Sequence, residues 1–381
     1  MIYLDNSATT FPKPQQVINS VNQAMRFYSA NPGRSGHDLS LKAAQKIFDC
    51  RQAVCSLFNI SDESKVVFTS GCTQSLNTVI KGVLKQGDHC VISSFEHNSV
   101  LRPLEKLKQQ NKISYSVANV YPQDDDKTVD SFRKAFNERT KLVVCTHASN
   151  VFGFRLPVER ICALCHNYGI LFCLDAAQSA GVIDIDINDS GFDYVCCAGH
   201  KGLYGPMGVG VLVINSDVLP ESLVEGGTGS NSQDFLQPDF TPDKYESGTL
   251  NVVGICGLKN GIDFVMNKSP FVILNTEMSY IRMLYKALSK NKNIVLYSKM
   301  PTVENFVPVL SFSVKGMNSE KVASYLNSKY SIAVRAGLHC SPLAHKSMKS
   351  LGEGTVRIAP SVFTTENDIK RLIFALNNLK I

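Results

Sequence analysis

Three positions in the chain carry side chains or backbone groups that could bind a ligand or take part in a reaction. Gly71, Asp175 and Lys201 each lie at the end of an apolar run or just after it. A glycine turn before a helix presents N–H groups that suit a phosphate. The carboxylate could be a helix cap, a metal ligand or the partner of a cationic ring. The lysine is either a loop residue whose ammonium reaches solvent or a group that forms a Schiff base with an aldehyde.

Together these three positions predict a site for pyridoxal phosphate. That cofactor needs a phosphate cradle, an acid for its pyridine nitrogen and a Schiff-base lysine. In an open α/β sheet, such groups converge beyond the carboxyl ends of the strands. His97 follows another apolar run and could stack on the ring, although a histidine there is also a common loop or capping residue.

Cys340 differs from the other eleven cysteines. It lies in "RAGLHCSP", between a glycine and a proline, with His339 before it and Arg335 five positions earlier. Most of the others lie in apolar runs or on helix faces, where cysteine packs as a small hydrophobe. Cys162 and Cys165 form a CxxC pair on one helical face, and without a second such pair we expect a packed helix and no metal site. Cys340 is therefore a candidate nucleophile.

The elements that would position these groups alternate through the first 260 residues. Strands are predicted at 65–70, 89–94, 141–147, 169–175, 193–199 and 208–214. Between two of them, Leu76, Val79, Ile80 and Val83 recur at helical spacing. Nearly continuous apolar strands alternating with helices predict an α/β fold with a doubly wound, mostly parallel sheet.

The pattern changes near residue 259, and 381 residues are too many for one simple core. Helical stretches at 259–267 and 272–290 lead to a strand–helix–strand unit and a last helix that Thr365 would cap. We expect a segment at 1–14 beside the small domain, a large domain at 15–258 and a small α+β domain with the Cys340 loop at 259–381.

The composition excludes several classes of function. The net charge of +6 is spread along the chain without a basic run, which argues against a nucleic-acid partner. No apolar stretch approaches the roughly 20 residues of a membrane span. "MIYLDNSATT" has neither the basic nor the apolar region of a signal peptide. Twelve cysteines without an export signal indicate reduced thiols, so we expect a cytoplasmic protein.

These motifs resemble those of cysteine desulfurases in the class V aminotransferase family, whose fold is type I among pyridoxal phosphate enzymes. The similarity covers nearly the whole chain. It is carried by "YLDNSATT", "TSGCTQSLN", "EHNS", "SNVFG", "LDAAQS", "GHKGLYGP" and "RAGLHC". The short cysteine loop is similar to that of group II members and of selenocysteine lyases.

The resemblance implies how the cofactor would be held. Lys201 would form the Schiff base and later move protons at the substrate's α-carbon. Asp175 would pair with the pyridine nitrogen, Gln178 with the phenolic oxygen, His97 would stack on the ring and Asn150 would lie beside ring and substrate. The phosphate positions are Cys72, Thr73, His200 and, reaching from a neighbouring subunit, Thr249.

The resemblance also implies the substrate and the partners. Arg335 would bind the α-carboxylate of L-cysteine in a bidentate pair. Cys340, as the thiolate, would take the sulfur and leave L-alanine, and His339 is either an acid or base for that step or an ordinary loop residue. Thr249 implies a homodimer with shared active sites. A sulfur-acceptor protein, as in iron–sulfur cluster assembly, would then discharge Cys340.

Three residues depart from the family pattern. Ala198 replaces a serine or threonine that bonds the phosphate, Cys72 replaces a threonine, and Leu338 replaces a histidine. These departures bear on the acceptor and the substrate more than on the cofactor chemistry. The alternatives are a selenocysteine lyase, a transaminase or epimerase that does not use Cys340, and a non-catalytic relative without the cofactor.

Overall fold

Thirteen strands and twelve helices are present in the computed structural model, which describes residues 1–33, 36–230 and 232–379. The strands are β1 (Ile2–Tyr3), β2 (Val66–Thr69), β3 (His89–Ser93), β4 (Ser114–Ala118), β5 (Thr140–Thr146), β6 (Leu171–Asp175), β7 (Tyr194–Ala198), β8 (Gly210–Ile214), β9 (Ile294–Leu296), β10 (Leu310–Val314), β11 (Ile332–Ala333), β12 (Arg335–Gly337) and β13 (Thr355–Ile358). The helices are α1 (Gln15–Phe27), α2 (Asp38–Phe58), α3 (Cys72–Val83), α4 (Asn98–Gln109), α5 (Asp125–Ala135), α6 (Val158–Asn167), α7 (Ile187–Ser190), α8 (Val252–Lys268), α9 (Pro270–Leu288), α10 (Ser319–Tyr330), α11 (Pro342–Ser347) and α12 (Glu366–Asn377).

The central sheet confirms the predicted α/β architecture. Its strands lie in the order β2-β8-β7-β6-β5-β3-β4. Only β8 runs antiparallel to its neighbours in this sheet of the described chain. All six strands predicted for this part are present. The seventh, β4, escaped prediction because "SYSVA" is an edge strand with mostly half-buried residues and no apolar run.

Helices cover both faces of the sheet, which is why the strands are apolar along their whole length. In β6, Leu174 packs in one cluster with Ile161 and Cys162 of α6. Its neighbour Cys173 packs in another cluster with Leu76 and Val79 of α3. Successive side chains of a strand point to opposite faces, so each face has its own core.

A second sheet of four antiparallel strands, β12-β13-β10-β9, lies in the last third of the chain. The N-terminal segment joins this part, because β1 pairs in parallel with β11 and places Ile2 beside Ile332. Helix α8 spans the expected domain boundary after residue 258, so that boundary stays a prediction. Thr365 caps α12 in a capping box, as predicted.

The cysteines are distributed as the sequence predicts. Cys340 is exposed, Cys55 is half-buried and the other ten are buried. Cys162 and Cys165 lie on the buried face of α6. Within 1–33, 36–230 and 232–379 there is no group of three or more His, Cys, Asp or Glu side chains that could hold a metal ion, and no helix is both long and apolar enough to cross a membrane.

Candidate active site

A polar cleft lies at the carboxyl ends of the parallel strands, where this fold class places its sites. Strands β6 and β7 end side by side, with Asp175 paired in register to Cys196. Eight of the residues singled out in the sequence line the cleft: Cys72, Thr73, His97, Asn150, Asp175, Gln178, His200 and Lys201. The fold therefore brings together groups that are up to 129 residues apart, since Cys72 and Lys201 share one wall.

One end of the cleft suits an anion. Helix α3 begins here after Gly71, whose φ is 156°, and no side chain in the described residues caps it. The N–H groups of Cys72 and Thr73 lie in the first turn, where no intrahelical acceptor reaches them. Strand β8 supports this turn closely, because a Cβ atom on Gly210 would lie 2.5 Å from Cα of Gly71.

His200 adds a further polar group to the cleft. Its Nδ1 atom is buried and has no hydrogen-bond partner in the described parts of the chain. Burial, with the charges of Lys201 and Lys13, lowers the pKa of His200 to about 4, so the ring is neutral at neutral pH. Ala198 lines the same cleft without a hydroxyl. An unpartnered ring nitrogen beside an uncapped helix fits a bound phosphate, and this nitrogen could replace the hydroxyl that Ala198 lacks.

Asp175 is buried, with one oxygen already bonded within the protein. Its Oδ1 accepts the N–H of Ala177 at 2.9 Å and lies 3.5 Å from Sγ of Cys72. The hydrogen bonds from the described residues all reach Oδ1, which leaves Oδ2 for a ligand. The thiol of Cys72 thus contacts the carboxylate, so at this position only the backbone N–H is available to a phosphate. Burial raises the pKa of Cys72 and keeps its thiol protonated.

Lys201 lines the cleft together with Asp175, which favours the reactive alternative over an ammonium that reaches solvent. Among the described residues, no hydrogen bond or ion pair to its Nζ atom is present. Burial lowers the pKa of Lys201, while the negative charge of Asp175 opposes the shift. A lowered pKa increases the fraction of free amine, the form that reacts with an aldehyde.

His97 both caps a helix and lines the cleft. Its Nδ1 atom accepts the N–H of Ser99 at 3.1 Å and so caps helix α4, while the ring lines the cleft. Burial lowers the pKa of His97 to about 4, with the charge of Asp175 acting in the opposite direction. The ring is therefore neutral. A ring-stacking role for it stays a prediction.

The loop that carries Cys340 is tied to the cleft by hydrogen bonds. Asn150 donates from Nδ2 to the carbonyl of His339 at 2.8 Å and accepts from the hydroxyl of Ser341 at 2.7 Å. The N–H of Asn98, next to His97 in the chain, donates to the carbonyl of Cys340 at 2.7 Å. These bonds hold the exposed Cys340 at the edge of the cleft.

His339 does not share this position. Its side chain is buried and its Nε2 atom lies 3.1 Å from the carbonyl of Thr355 in β13. Burial, with the charges of Arg357 and other neighbours, lowers the pKa of His339 to about 2. The ring is neutral, bonded to the sheet and not among the residues that line the cleft. This geometry argues against the acid or base role and favours the structural alternative.

Two arginines face each other beside the Cys340 loop. Arg335 of β12 is half-buried and stands directly opposite Arg357 of β13 in the antiparallel register. Arg357 is buried, pairs with Asp5 at 2.7 Å and donates to the carbonyl of Asn150 at 2.8 Å. Like charges placed opposite each other on adjacent strands are destabilising, so the pair favours an anion between them. Sequence reasoning identified Arg335 and missed Arg357, because only the strand register relates them.

Thr249 and Glu96 are not among the residues that line the cleft. Thr249 is exposed in the segment between β8 and α8, so its role toward a second subunit stays a prediction. Glu96 was missed: it is buried beside His97 in the chain, accepts the N–H of Thr146 at 2.8 Å, and its Oε2 atom has no partner in the described parts of the chain. Burial raises the pKa of Glu96 to about 8.

The chain is similar to known proteins both in sequence and in structure. The family model for class V aminotransferases matches residues 2–372. A probable cysteine desulfurase of Methanothermobacter thermautotrophicus is 32% identical over 97% of this chain and 92% of its own length. The apo structure of a cysteine desulfurase from Thermococcus onnurineus NA1 superposes with a TM-score of 0.89 at 29% identity, over 98% of this chain and 93% of that one. The S-sulfonic acid form of the cysteine desulfurase CsdA from Escherichia coli gives 0.87 at 25% identity, over 98% and 93%. These matches confirm the predicted fold class and the family resemblance.

Gly210→Ala should weaken cofactor binding. The added Cβ atom meets the backbone of Gly71, so the turn that presents the N–H groups of Cys72 and Thr73 must shift. Overpacking of this kind costs about 1–3 kcal/mol, and a cost of that size borne by the binding geometry of the turn corresponds to a roughly 5- to 150-fold lower affinity for pyridoxal phosphate. Fluorescence titration measures this affinity. Gly352→Ala, where the added atom meets open space, is the control. Unchanged affinity in folded Gly210→Ala would show that the turn tolerates displacement.

Glu96→Gln should change how stability depends on pH. The folded pKa of about 8 lies above the usual 4.5, so the stability that protonated Glu96 provides at low pH is lost as the pH rises between those values. The variant lacks this titration, and its free energy of unfolding relative to the wild type should rise across the window. Urea unfolding at several pH values measures the difference, and the exposed Glu138→Gln is the control. A constant difference would contradict the assignment.

Proposed function

The chain belongs to the class V aminotransferase family, and from that premise we propose that it is a pyridoxal phosphate-dependent cysteine desulfurase. It converts L-cysteine into L-alanine and receives the sulfur on Cys340 as a persulfide. The observation that carries this proposal is the tether between the Cys340 loop and the cleft, made by Asn98 and Asn150. Without it, an exposed thiol in the loop between β12 and α11 would have no defined position relative to the cleft.

The cleft residues hold the cofactor in this proposal. When bound, pyridoxal phosphate supplies the electron sink that stabilises negative charge next to the substrate's α-carbon. Lys201 would attach to its aldehyde, the free Oδ2 atom of Asp175 would pair with its ring nitrogen, and His97 and Gln178 would hold the ring. The phosphate would bind at the start of α3, to the N–H groups of Cys72 and Thr73 and to Nδ1 of His200.

Arg335 binds the substrate's α-carboxylate, with Arg357 opposite it on the adjacent strand. The carboxylate relieves the repulsion between the two facing guanidinium groups and gains charge-assisted hydrogen bonds. Arg357 is already bonded to Asp5 and to the carbonyl of Asn150, so its fork is fixed in place. Arg335 has no ion-pair partner among the described residues and is free to close on the substrate.

Cys340 then takes the sulfur. Its thiolate attacks the sulfur atom of the bound cysteine, an S–S bond forms and the bond between that sulfur and Cβ breaks. The electron pair of the broken bond stays with the substrate carbon, which takes a proton and becomes the methyl group of alanine. Lys201, whose side chain lines the cleft, moves the protons at the substrate's carbons. No external oxidant is required, because the substrate carbon keeps the electron pair of the broken C–S bond and is reduced to a methyl group as the sulfur is oxidised to the persulfide level.

The remaining partners are proposed from the family resemblance and from the exposed surface. We propose a homodimer in which Thr249 reaches the phosphate of the other subunit. The exposed Phe235 and Leu236, in the same segment before α8, support a protein contact there. The protein acts in the cytoplasm, and an acceptor protein, for example one in iron–sulfur cluster assembly, removes the sulfur from Cys340.

Cys340→Ser should abolish alanine production from L-cysteine. The serine hydroxyl cannot accept the sulfur, while the cofactor site is unchanged and the absorption band of bound pyridoxal phosphate should persist. Alanine is measured with a reductant present, for purified wild type and variant in parallel. Cys55→Ser, at a half-buried thiol on α2, is the control and should retain activity.

The other outcomes separate the alternatives. Activity on cysteine that survives in Cys340→Ser would favour a transaminase or epimerase. A wild type active only on L-selenocysteine would favour a selenocysteine lyase. A wild type without a cofactor band would favour a non-catalytic relative.

Arg335→Gln should raise KM for L-cysteine more than it lowers kcat. A lost charge-assisted hydrogen bond costs about 1.5–3 kcal/mol, which corresponds to a roughly 10- to 150-fold higher KM. Steady-state kinetics at fixed pH measures the split, with the exposed Arg371→Gln on α12 as the control. An unchanged KM would mean that Arg357 alone binds the carboxylate.

A further inference from the structure

The N-terminal segment makes a dense set of hydrogen bonds to the backbone around Lys201. The carbonyl oxygen of His200 lies 3.1 Å from the N–H of Thr10, 3.2 Å from the hydroxyls of Thr9 and Thr10, and 2.9 Å from Nζ of Lys13. The hydroxyl of Thr10 also lies 3.2 Å from the carbonyl of Lys201 itself. Four donor atoms therefore surround one carbonyl, and a fifth contact reaches the next.

Lys13 is an unusual member of this set. It is half-buried, and its ammonium lies 2.7 Å from the hydroxyl of Thr10 and 2.9 Å from the carbonyl of His200. In the described residues no carboxylate lies within ion-pair distance of it. Burial lowers the pKa of Lys13 to about 8. Placing a cation among neutral oxygens is costly, and a solvent-exposed ammonium would be more stable. The position of Lys13 is therefore better explained by a role in the site than by a contribution to stability.

The two bonded carbonyls flank the α-carbon of Lys201. A peptide group is planar, so holding the carbonyl of His200 also fixes the direction of the N–Cα bond of Lys201. Holding the carbonyl of Lys201 fixes the peptide group on the other side. With both groups held, only the side-chain torsions of Lys201 remain free, and the position of its amine in the cleft is restricted accordingly.

The same segment contacts the other functional groups. Asp5 pairs with Arg357 at 2.7 Å, and the hydroxyl of Ser7 donates to Oε1 of Gln178 at 2.7 Å. The segment thus connects the arginine pair, the residue expected at the cofactor's phenolic oxygen and the reactive lysine. Its start is fixed in turn by the pairing of β1 with β11.

On the basis of the function proposed above, we propose that Lys13 is a positioning residue for Lys201. Its ammonium bridges the hydroxyl of Thr10 and the carbonyl of His200, and this bridge holds the backbone from which the reactive amine extends. Lys13 does not line the cleft and touches neither substrate nor cofactor in this assignment. Its effect passes through the two peptide groups beside Lys201.

The test compares Lys13→Met with Lys65→Met in cofactor-loaded protein. Lys65 is also half-buried and also donates to a neutral oxygen, Oδ1 of Asn215 at 2.9 Å, but it does not line the cleft. Circular dichroism in the absorption band of the bound cofactor reports how rigidly the protein holds it in one orientation. Thermal unfolding of each variant measures the loss of stability separately.

We expect Lys13→Met to weaken the circular dichroism of the cofactor band and to lower kcat about tenfold with little change in KM, because misplaced reacting groups lose rate. Lys13→Arg should restore part of both. Lys65→Met should lower the unfolding temperature alone. Where Lys13→Met does not fold, Thr10→Val removes the bridging hydroxyl with nearly the same side-chain shape.

An unchanged cofactor band and kcat in folded Lys13→Met, or the same loss in Lys65→Met, would overturn the positioning role. A weakened band in a protein whose wild type makes no alanine would leave the positioning role and refute the proposed reaction. A wild type that binds no cofactor would overturn both.

Discussion

The side chain and carbonyl of Asn150 hold the two halves of the site together. The amide donates to one residue of the Cys340 loop and accepts from another, while the main-chain carbonyl accepts from Arg357. Strand β5 and the turn after it bring Asn150 to the cleft, and β12 and β13 bring the loop and the arginine. Asn150 therefore contacts the Cys340 loop, Arg357 and the cleft at once, while the bond from Asn98 to Cys340 and the pair between Asp5 and Arg357 add to the same arrangement.

Burial determines the charge state of the groups around that residue. The imidazoles of His97, His200 and His339 are all neutral near pH 7, because desolvation dominates each shift in pKa. The charges that remain in and beside the cleft are those of Asp175, Lys201 and the facing arginines. In the proposed function, this separation leaves a neutral ring at His97 for stacking, a neutral ring nitrogen at His200 for a phosphate, and the paired arginines for a substrate carboxylate.

Local sequence predicts the site residues that follow strands, because an apolar run locates the strand and each parallel strand ends at the ligand-binding edge of the sheet. Asp175 and Lys201 are of this kind. The sequence did not predict Arg357 or Lys13, because only contacts with distant segments place these residues near the site. It did not predict β4, because that strand lacks an apolar run. For His339 the residue type left both an acid–base role and an ordinary loop residue open, and the structure shows a buried ring bonded to Thr355 in a loop where His339 and Cys340 are both left-handed, with φ of 50° and 59°. Backbone handedness of non-glycine residues has no reliable signal in sequence.

The uneven burial of the cysteines has a consequence for the path of sulfur. Burial raises the pKa of ten of the eleven thiols other than Cys340, so they remain protonated and poorly nucleophilic. In the proposed reaction, a persulfide on Cys340 would therefore meet no thiolate among these ten residues, which disfavours transfer of the sulfur to them. A cysteine-rich interior is in this way compatible with the proposed transfer of sulfur outward, from the exposed Cys340 to a thiol outside the protein.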